Sequence, residues 1–143
     1  MDKVIKKFIA KEQVLTLSTS TDNKPYSCNC FYAYDEENNE IICSSEYHTK
    51  HVQDIHKNNY ISGTIYKDTK IIGNIIGVQF NGYIREAKDE ELKRAKNVYY
   101  KKFPFARAYP SPLWIIELTF VKYTDTKLLG FGKKLTWEKT PEK

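Results

Sequence analysis

The sequence lacks a long hydrophobic run. Its most apolar stretches, Ile71 to Phe80 and Leu113 to Phe120, are short and contain Asn74, Gln79 and Glu117, so neither predicts a segment that spans a bilayer. The N-terminal residues alternate single apolar side chains with lysines and form no continuous apolar stretch of the kind a signal peptide requires. We therefore expect a cytoplasmic protein without a membrane-spanning segment.

Common catalytic and nucleotide-binding motifs are missing as well. The sequence contains no Walker loop, no Gly-x-Gly-x-x-Gly fingerprint, no Ser-His-Asp order and no His-Glu-x-x-His. The stretch from Gly130 to Lys133 lacks the third glycine and the following helix, so it predicts a bend before the last strand. The catalytic residues and the small-molecule substrate are therefore unknown from sequence.

Cysteine is scarce, with only Cys28, Cys30 and Cys43. Because their number is odd and no export signal is present, we expect reduced thiols. A turn centred near Glu37 should place Cys30 close to Cys43 across a hairpin. The Cys-x-Cys pair is accompanied by neither a Cys-x-x-Cys nor a His-x-x-x-His motif that would supply further ligands, so we expect no metal site.

The three histidines gather around one predicted helix. They are His48, His51 and His56. His51 and His56 do not have the spacing that would put them on one helical face, and surface or capping roles are the simpler interpretation. His48 is the one that adjoins the candidate site described below.

The composition is that of a globular protein, with 143 residues, 41% hydrophobic and 29% charged, and we expect a single domain over residues 1–143. The net charge of +5 suits an anionic ligand, nucleic acid or a membrane surface equally well. A basic helix following Asp89 could contact nucleic acid. Since no recognition motif accompanies it and Glu90 precedes Arg94 by four residues, we expect a solvated helix face and no nucleic-acid partner.

Short turns separate most of the predicted strands, which favours an α+β fold with a barrel over a doubly wound sheet. About seven strands and about three helices are expected, the first helix capped by Asp2. Glycines spaced along the fifth strand would let it bend, as barrel closure requires. The predicted strands cover Val14 to Thr19, Tyr26 to Tyr34, Glu40 to Ser44, Tyr60 to Tyr66, Ile72 to Ile84, Trp114 to Val121 and about Leu128 to Trp137.

The stretch from Cys43 to Lys50 is the most informative for function. A strand ends in the hydroxyls of Ser44 and Ser45, and a helix then opens at Thr49 and Lys50. The unpaired amides and positive dipole end of a helix start suit a phosphate group, and a lysine would complete the site. From these residues alone, a capping Thr49 and a solvated Lys50 remain the simpler interpretation.

The order of the elements and several motifs resemble the pyridoxamine 5′-phosphate oxidase-like FMN-binding split barrels. The similarity extends over nearly the whole chain and is greatest to a small, functionally uncharacterised subgroup. The motifs that carry it are Val14 to Thr19, Cys28 to Ala33, Phe103 to Arg107 and Leu129 to Leu135.

This resemblance implies a split β-barrel of mostly antiparallel strands with peripheral helices, and a homodimer with the cofactor at the subunit interface. It implies that the phosphate of FMN is held by Ser44, Ser45, Thr49 and Lys50. It also implies that Asn29 and Cys30 run beside the isoalloxazine ring, and that Tyr123, Lys133 and Lys134 supply aromatic and basic contacts, often to the partner subunit's flavin. FMN is favoured over haem or a deazaflavin, which other members of the superfamily hold.

Two function classes follow. The leading hypothesis is an FMN-binding, oxidoreductase-like protein with an unknown substrate. The alternative is a non-enzymatic binding module, either a split barrel without a cofactor or a basic nucleic-acid-binding protein.

Overall fold

The computed structural model describes residues 1–141 of the chain. In chain order its elements are α1 (Lys3–Lys11), β1 (Val14–Thr21), β2 (Lys24–Asp35), β3 (Glu40–Ser44), α2 (Lys50–Lys57), β4 (Tyr60–Tyr66), β5 (Ile76–Glu86), α3 (Asp89–Lys102), a 3-10 turn (Pro104–Ala108), β6 (Leu113–Asp125) and β7 (Lys134–Glu138). None of these helices is long and apolar enough to cross a membrane.

The strands form one sheet in the order β3-β2-β1-β4-β5-β6-β7, and every pairing is antiparallel. A further pairing between β3 and β6 closes the first six strands into a barrel. The predicted α+β class and split barrel are confirmed.

Strand β6 is the place where the barrel splits. Its first part, from Leu113 to Glu117, pairs with β3, whereas the part from Phe120 to Thr124 pairs with β7. Along its other edge β6 pairs with β5 over its whole length, with a bulge between Asn81 and Gly82. The extra residue is Thr119 of β6, and because a bulge bends the strand that carries it and increases its twist, β6 can follow the curved wall.

Apolar side chains fill the barrel and a second layer outside it. The interior core includes Leu15, Leu17, Tyr32, Trp114 and Ile116, and the apolar faces of α1 and α2 pack against it. The second cluster lies between α3 and the outer faces of β3 and β6. The start of β6 is therefore buried on both faces, although its sequence predicts simple alternation.

Two strands begin at least four residues later than predicted. Strand β5 begins at Ile76 rather than Ile72, because Gly73 has a φ of 92° and belongs to a turn in which Ile72 is fully exposed. Strand β7 begins at Lys134 rather than near Leu128. The Asp125 carboxylate accepts hydrogen bonds from the backbone N–H groups of the next turn, which ends β6 and prevents residues 127–128 from joining the sheet.

Helix α1 begins as predicted, with the Asp2 side chain accepting a 2.8 Å hydrogen bond from the Val4 amide. Helix α3 departs from the prediction in its ion pairs. Arg94 contacts Asp35 and lies 2.9 Å from Glu40, while Glu90 pairs with Lys93. The predicted Glu90–Arg94 pair is wrong because Arg94 points toward the barrel.

Candidate functional site

The chain leaves the barrel at the end of β3 through a rigid corner. Ser44 is the last residue of β3 and pairs with Leu113. The Ser45 amide donates a 3.2 Å hydrogen bond to the Pro112 carbonyl, and the Ser45 carbonyl accepts a 3.0 Å hydrogen bond from the Trp114 indole N–H. Because both backbone groups of Ser45 are held by the start of β6, the following turn and α2 have a defined position.

Helix α2 presents its positive end at this corner. Its first backbone bond runs from the Gln53 amide to the Thr49 carbonyl, so the amides of Lys50, His51 and Val52 donate to no acceptor within residues 1–141. Thr49 occupies the cap position, but its hydroxyl donates to the Glu46 carbonyl at 2.8 Å instead of capping the helix. The predicted side-chain cap is wrong, and the amides remain available to an anion.

Lys50 lies on the same turn, and its ammonium group already contacts other side chains of the protein. Its ammonium is 2.6 Å from the Asp54 carboxylate and 5.1 Å from the centre of the Tyr26 ring. The Lys50 side chain is 54% exposed, whereas Asp54 is buried and also accepts a 2.9 Å bond from Thr19. The hydrogen bond from Lys50 holds the pKa of Asp54 below its usual value. Asp54 therefore remains ionised and competes for Lys50.

A strand edge lies open beside this corner. Residues 24–31 of β2 pair with β1, while β3 covers only the part of β2 from Tyr32 to Asp35. Among the described strands no other covers the first part of β2. In an antiparallel pair, alternate residues direct their backbone groups away from the partner strand, so this edge offers backbone donors and acceptors.

The two predicted ring-contacting residues flank that edge on opposite faces. Asn29 points outward and its side-chain oxygen accepts a 3.0 Å bond from Thr16, while Cys30 is buried on the inner face. Their side chains cannot contact one face of the same planar group, because successive residues of a strand alternate between the two faces.

Cysteine thiols, a serine and a histidine form a cluster at the inner side of the corner. The sulfur atoms of Cys28 and Cys30 are 3.9 Å apart, and the Ser45 hydroxyl is 3.8 Å from Cys30 and 2.8 Å from His51 Nε2. A hydrogen bond from Cys28, reinforced by one from Cys43, lowers the pKa of Cys30. The pKa values of Cys28 and Cys43 are raised by the same contacts, so Cys30 ionises first.

His51 is the site residue that sequence reasoning missed. The sequence assigned it a surface or capping role and singled out His48, which lies in the exposed turn. The structure brings His51 to Cys28 and Cys30, with one ligand atom from each within 4.8 Å of the others. No metal was expected because the sequence has no Cys-x-x-Cys or His-x-x-x-His motif, and that criterion does not detect a single histidine that the fold brings to the two cysteines.

The remaining predicted contacts lie far from the corner in one chain. Lys134 pairs with Thr124 at one end of β6, and Ser44 pairs with Leu113 at the other. These pairs are separated by roughly 36 Å along the strand. Lys133 and Lys134 are exposed. Tyr123 is 3% exposed, packs against Phe8 and donates a 3.0 Å bond to Asp125, so it presents no ring at the surface.

The sequence profile described as pyridoxamine 5′-phosphate oxidase matches residues 1–127. The chain belongs to this family. It is similar to a UPF0306 protein from Citrobacter koseri, with 34% identity over 137 residues that cover 96% of this chain and 93% of the relative. The UPF0306 protein YhbP from Escherichia coli is 35% identical over 133 residues, which cover 93% of this chain and 90% of the relative. The subgroup resemblance is thereby confirmed.

Solved structures share the fold at low identity. A haem-binding protein from Mycobacterium smegmatis superposes with a TM-score of 0.78 and 14% identity over 96% of this chain and 59% of that one. This chain therefore spans less than two thirds of that protein's length. An FAD-binding protein from Mesorhizobium loti gives a TM-score of 0.70 and 17% identity over 85% of this chain and 90% of that one. Proteins that share this fold thus include one named for haem binding and one named for FAD binding.

Proposed function

We propose that this protein binds FMN where β3 gives way to α2 and acts as an FMN-dependent oxidoreductase. The observation that carries the proposal is the juxtaposition of three helix-start amides and Lys50 with the open edge of β2. Family membership and the flavin named for the Mesorhizobium loti neighbour support it.

The residues of the corner fit a phosphate group. The amides at the start of α2 are hydrogen-bond donors on one turn, and the half-exposed Lys50 adds a positive charge. The Thr49 hydroxyl would join them by exchanging its bond to the Glu46 carbonyl for one to the phosphate. Ser44 extends the donor set at the end of β3. Ser45 is buried and bonded to His51, so its part is to fix the corner rather than to offer an unused hydroxyl.

The open edge of β2 fits the polar margin of an isoalloxazine ring. Backbone groups between Ser27 and Cys30 would hydrogen-bond to that margin, with Asn29 and Cys30 flanking it on the two faces of the strand. When bound, the flavin supplies the electron-transfer chemistry. The protein orients the ring and excludes water from it.

We infer that a second copy of the chain completes the site. Lys133 and Lys134 are roughly 36 Å along β6 from the corner of their own chain, farther than FMN can reach. They can serve the same cofactor only from a partner subunit. Exposed apolar side chains in the adjoining turns, Ile71, Ile72 and Phe131, provide surface that a homodimer would cover.

The basic surface of α3 gives less support to nucleic-acid binding. Arg94 is engaged with Asp35 and Glu40, and Lys93 with Glu90. Lys102 donates to the Glu12 carbonyl and lies 4.5 Å from the centre of the Tyr32 ring. Lys93, Arg94 and Lys102 are thus used in contacts within the chain, and Arg107 lies 5.6 Å from the centre of the Tyr100 ring.

The visible spectrum of the purified protein, followed by titration with FMN, tests the proposal. Flavin absorbance or saturable FMN binding is expected. Haem absorbance would show that the cofactor is haem rather than FMN, and a protein without affinity for FMN would overturn the proposal. Salt-dependent binding of nucleic acid by flavin-free protein would favour the alternative class.

Mixing two defective variants tests whether the site is shared between subunits. Lys50→Met impairs one half of the site, and a Lys133→Ala, Lys134→Ala variant impairs the other. In a mixed dimer, one of the two sites combines the intact halves, so random mixing should restore about a quarter of all sites. If the subunits are shown to exchange and FMN binding is still not restored, both halves of the site belong to one chain.

A further inference from the structure

Two thiol sulfur atoms and one imidazole nitrogen converge at the inner end of the barrel. They belong to Cys28 and Cys30 on β2 and to His51 in the first turn of α2, and all lie within 4.8 Å of one another. Cys30 is buried and Cys28 and His51 are half-buried. Thiolate and imidazole are the ligands that Zn²⁺ prefers in proteins.

The spacing of the two sulfur atoms matches a tetrahedral zinc site. Two Zn–S bonds of about 2.3 Å at the tetrahedral angle place their sulfur atoms about 3.8 Å apart. The sulfur atoms of Cys28 and Cys30 are 3.9 Å apart. Since both cysteines project from the same face of one strand, the backbone of β2 holds this spacing, and no rearrangement of the strand is needed to bind a metal.

The surroundings provide a fourth position. The Ser45 hydroxyl lies 2.8 Å from His51 Nε2 and 3.8 Å from Cys30 Sγ, where a hydroxyl or a water could complete a tetrahedron. The Ser45 backbone is held by Trp114 and Pro112. A site with three protein ligands and one exchangeable position is the arrangement that zinc adopts when it acts chemically.

Charge balance favours a divalent ion. Two thiolates and a neutral imidazole carry a charge of about −2, which Zn²⁺ cancels, whereas a monovalent ion would leave a net negative charge in a half-buried place. The same balance requires two thiol protons to be released for each zinc ion bound, if both thiols are protonated beforehand.

We propose that Cys28, Cys30 and His51 bind one Zn²⁺ per chain, and that the fourth, exchangeable coordination position faces the Ser45 hydroxyl. This site does not require flavin. It overlaps the proposed FMN site, since Ser45 and the His51 amide lie at the phosphate corner and Cys30 lies beside the ring, so it is tested on reduced, flavin-free protein.

Titration of the full-length, reduced, metal-free protein with Co²⁺ and then Zn²⁺ tests the site. Cobalt should produce a thiolate-to-metal charge-transfer absorption that zinc abolishes at one equivalent per chain. Cys28→Ser and His51→Gln should each weaken zinc binding, measured against a competing chelator, by at least about a hundredfold. Circular dichroism checks that both variants are folded.

Two matched variants separate this site from chance binding. Cys43→Ser removes a buried thiol next to Cys30 that is outside the trio, and His48→Gln removes an exposed histidine from the neighbouring turn. Both should retain zinc binding. The proposal is overturned if cobalt shows no thiolate absorption, if Cys28→Ser or His51→Gln binds zinc like the unmodified protein, or if His48→Gln abolishes binding.

Discussion

Replacing Lys50 by methionine should weaken FMN binding about tenfold and leave riboflavin binding unchanged. Riboflavin has the same ring as FMN but no phosphate, so it reports on the ring site alone. The comparison isolates the contribution of the corner at α2, because Lys50 is the cation on the turn that carries the unbonded amides.

The magnitude follows from the exposure of Lys50 and from its present partner. Opposite unit charges about 4 Å apart attract by about 1 kcal/mol in water and by about 4 kcal/mol at an effective dielectric constant of about 20. Lys50 is 54% exposed and already 2.6 Å from Asp54, which places its contribution near the lower value. A loss of about 1.4 kcal/mol corresponds to a tenfold change in Kd.

The assay is a titration of both flavins, followed by their fluorescence, against the unmodified protein and two variants. Lys57→Met is the matched control, since Lys57 ends the same helix at its opposite terminus and should change neither affinity. Asp54→Asn should strengthen FMN binding by releasing Lys50. An equal effect of Lys50→Met on FMN and riboflavin, or a loss of FMN affinity in Lys57→Met, would refute the phosphate assignment.

Three further predictions concern stability. Gly82→Ala should cost about 3 kcal/mol in urea unfolding, because a Cβ there would lie 2.4 Å from the Glu117 carbonyl oxygen; a loss below about 1 kcal/mol would show that the bulge can move. Arg94→Met should cost about 2–3 kcal/mol by unpairing the buried Asp35, with Arg94 itself 32% exposed; an unchanged free energy of unfolding would contradict this. Burial lowers the pKa of Lys102 from 10.5 to about 8, so the unfolded chain binds more protons between these values and stability should rise there with pH. Lys102→Met should lack that rise between about pH 8 and pH 10, and an identical pH profile would show that Lys102 is not the cause.

Sequence patterns correctly predicted the features that depend on interactions between residues close together in the chain. The Asp2 cap, the hydroxyl-rich end of β3 and the start of α2 each depend on residues within a few positions of one another. The succession of strands and helices along the chain and the barrel class were recovered because most of the connections are short turns. The errors at strand ends also have local causes, but these are backbone conformations that the pattern of apolar residues does not reveal. Ile72 continues the alternation of β5, yet the left-handed backbone of Gly73 places it in a turn.

Contacts between distant parts of the chain could not be predicted. Arg94 meets Asp35 across a separation of 59 residues, and helical spacing pointed to Glu90 instead. His51 meets Cys28 and Cys30 only because Ser45 is tied to the start of β6, which turns α2 back over the inner end of β2. Nothing in the local sequence distinguishes His51 from His48, three residues before it.

A mismatch in strand length creates the candidate site. Strand β2 has 12 residues and β3 has 5, so the hairpin that they form ends while β2 continues along β1. The chain must then leave the sheet, and it does so by entering α2. The same departure leaves one edge of β2 open, points the amides of α2 toward the corner and brings His51 to the thiols of β2. If β3 were long enough to pair with Cys28 and Asn29, the open edge would be closed and α2 would begin beyond the end of the barrel. Both the flavin and the zinc proposals therefore depend on the short β3, which is visible in the sequence as the five residues from Glu40 to Ser44.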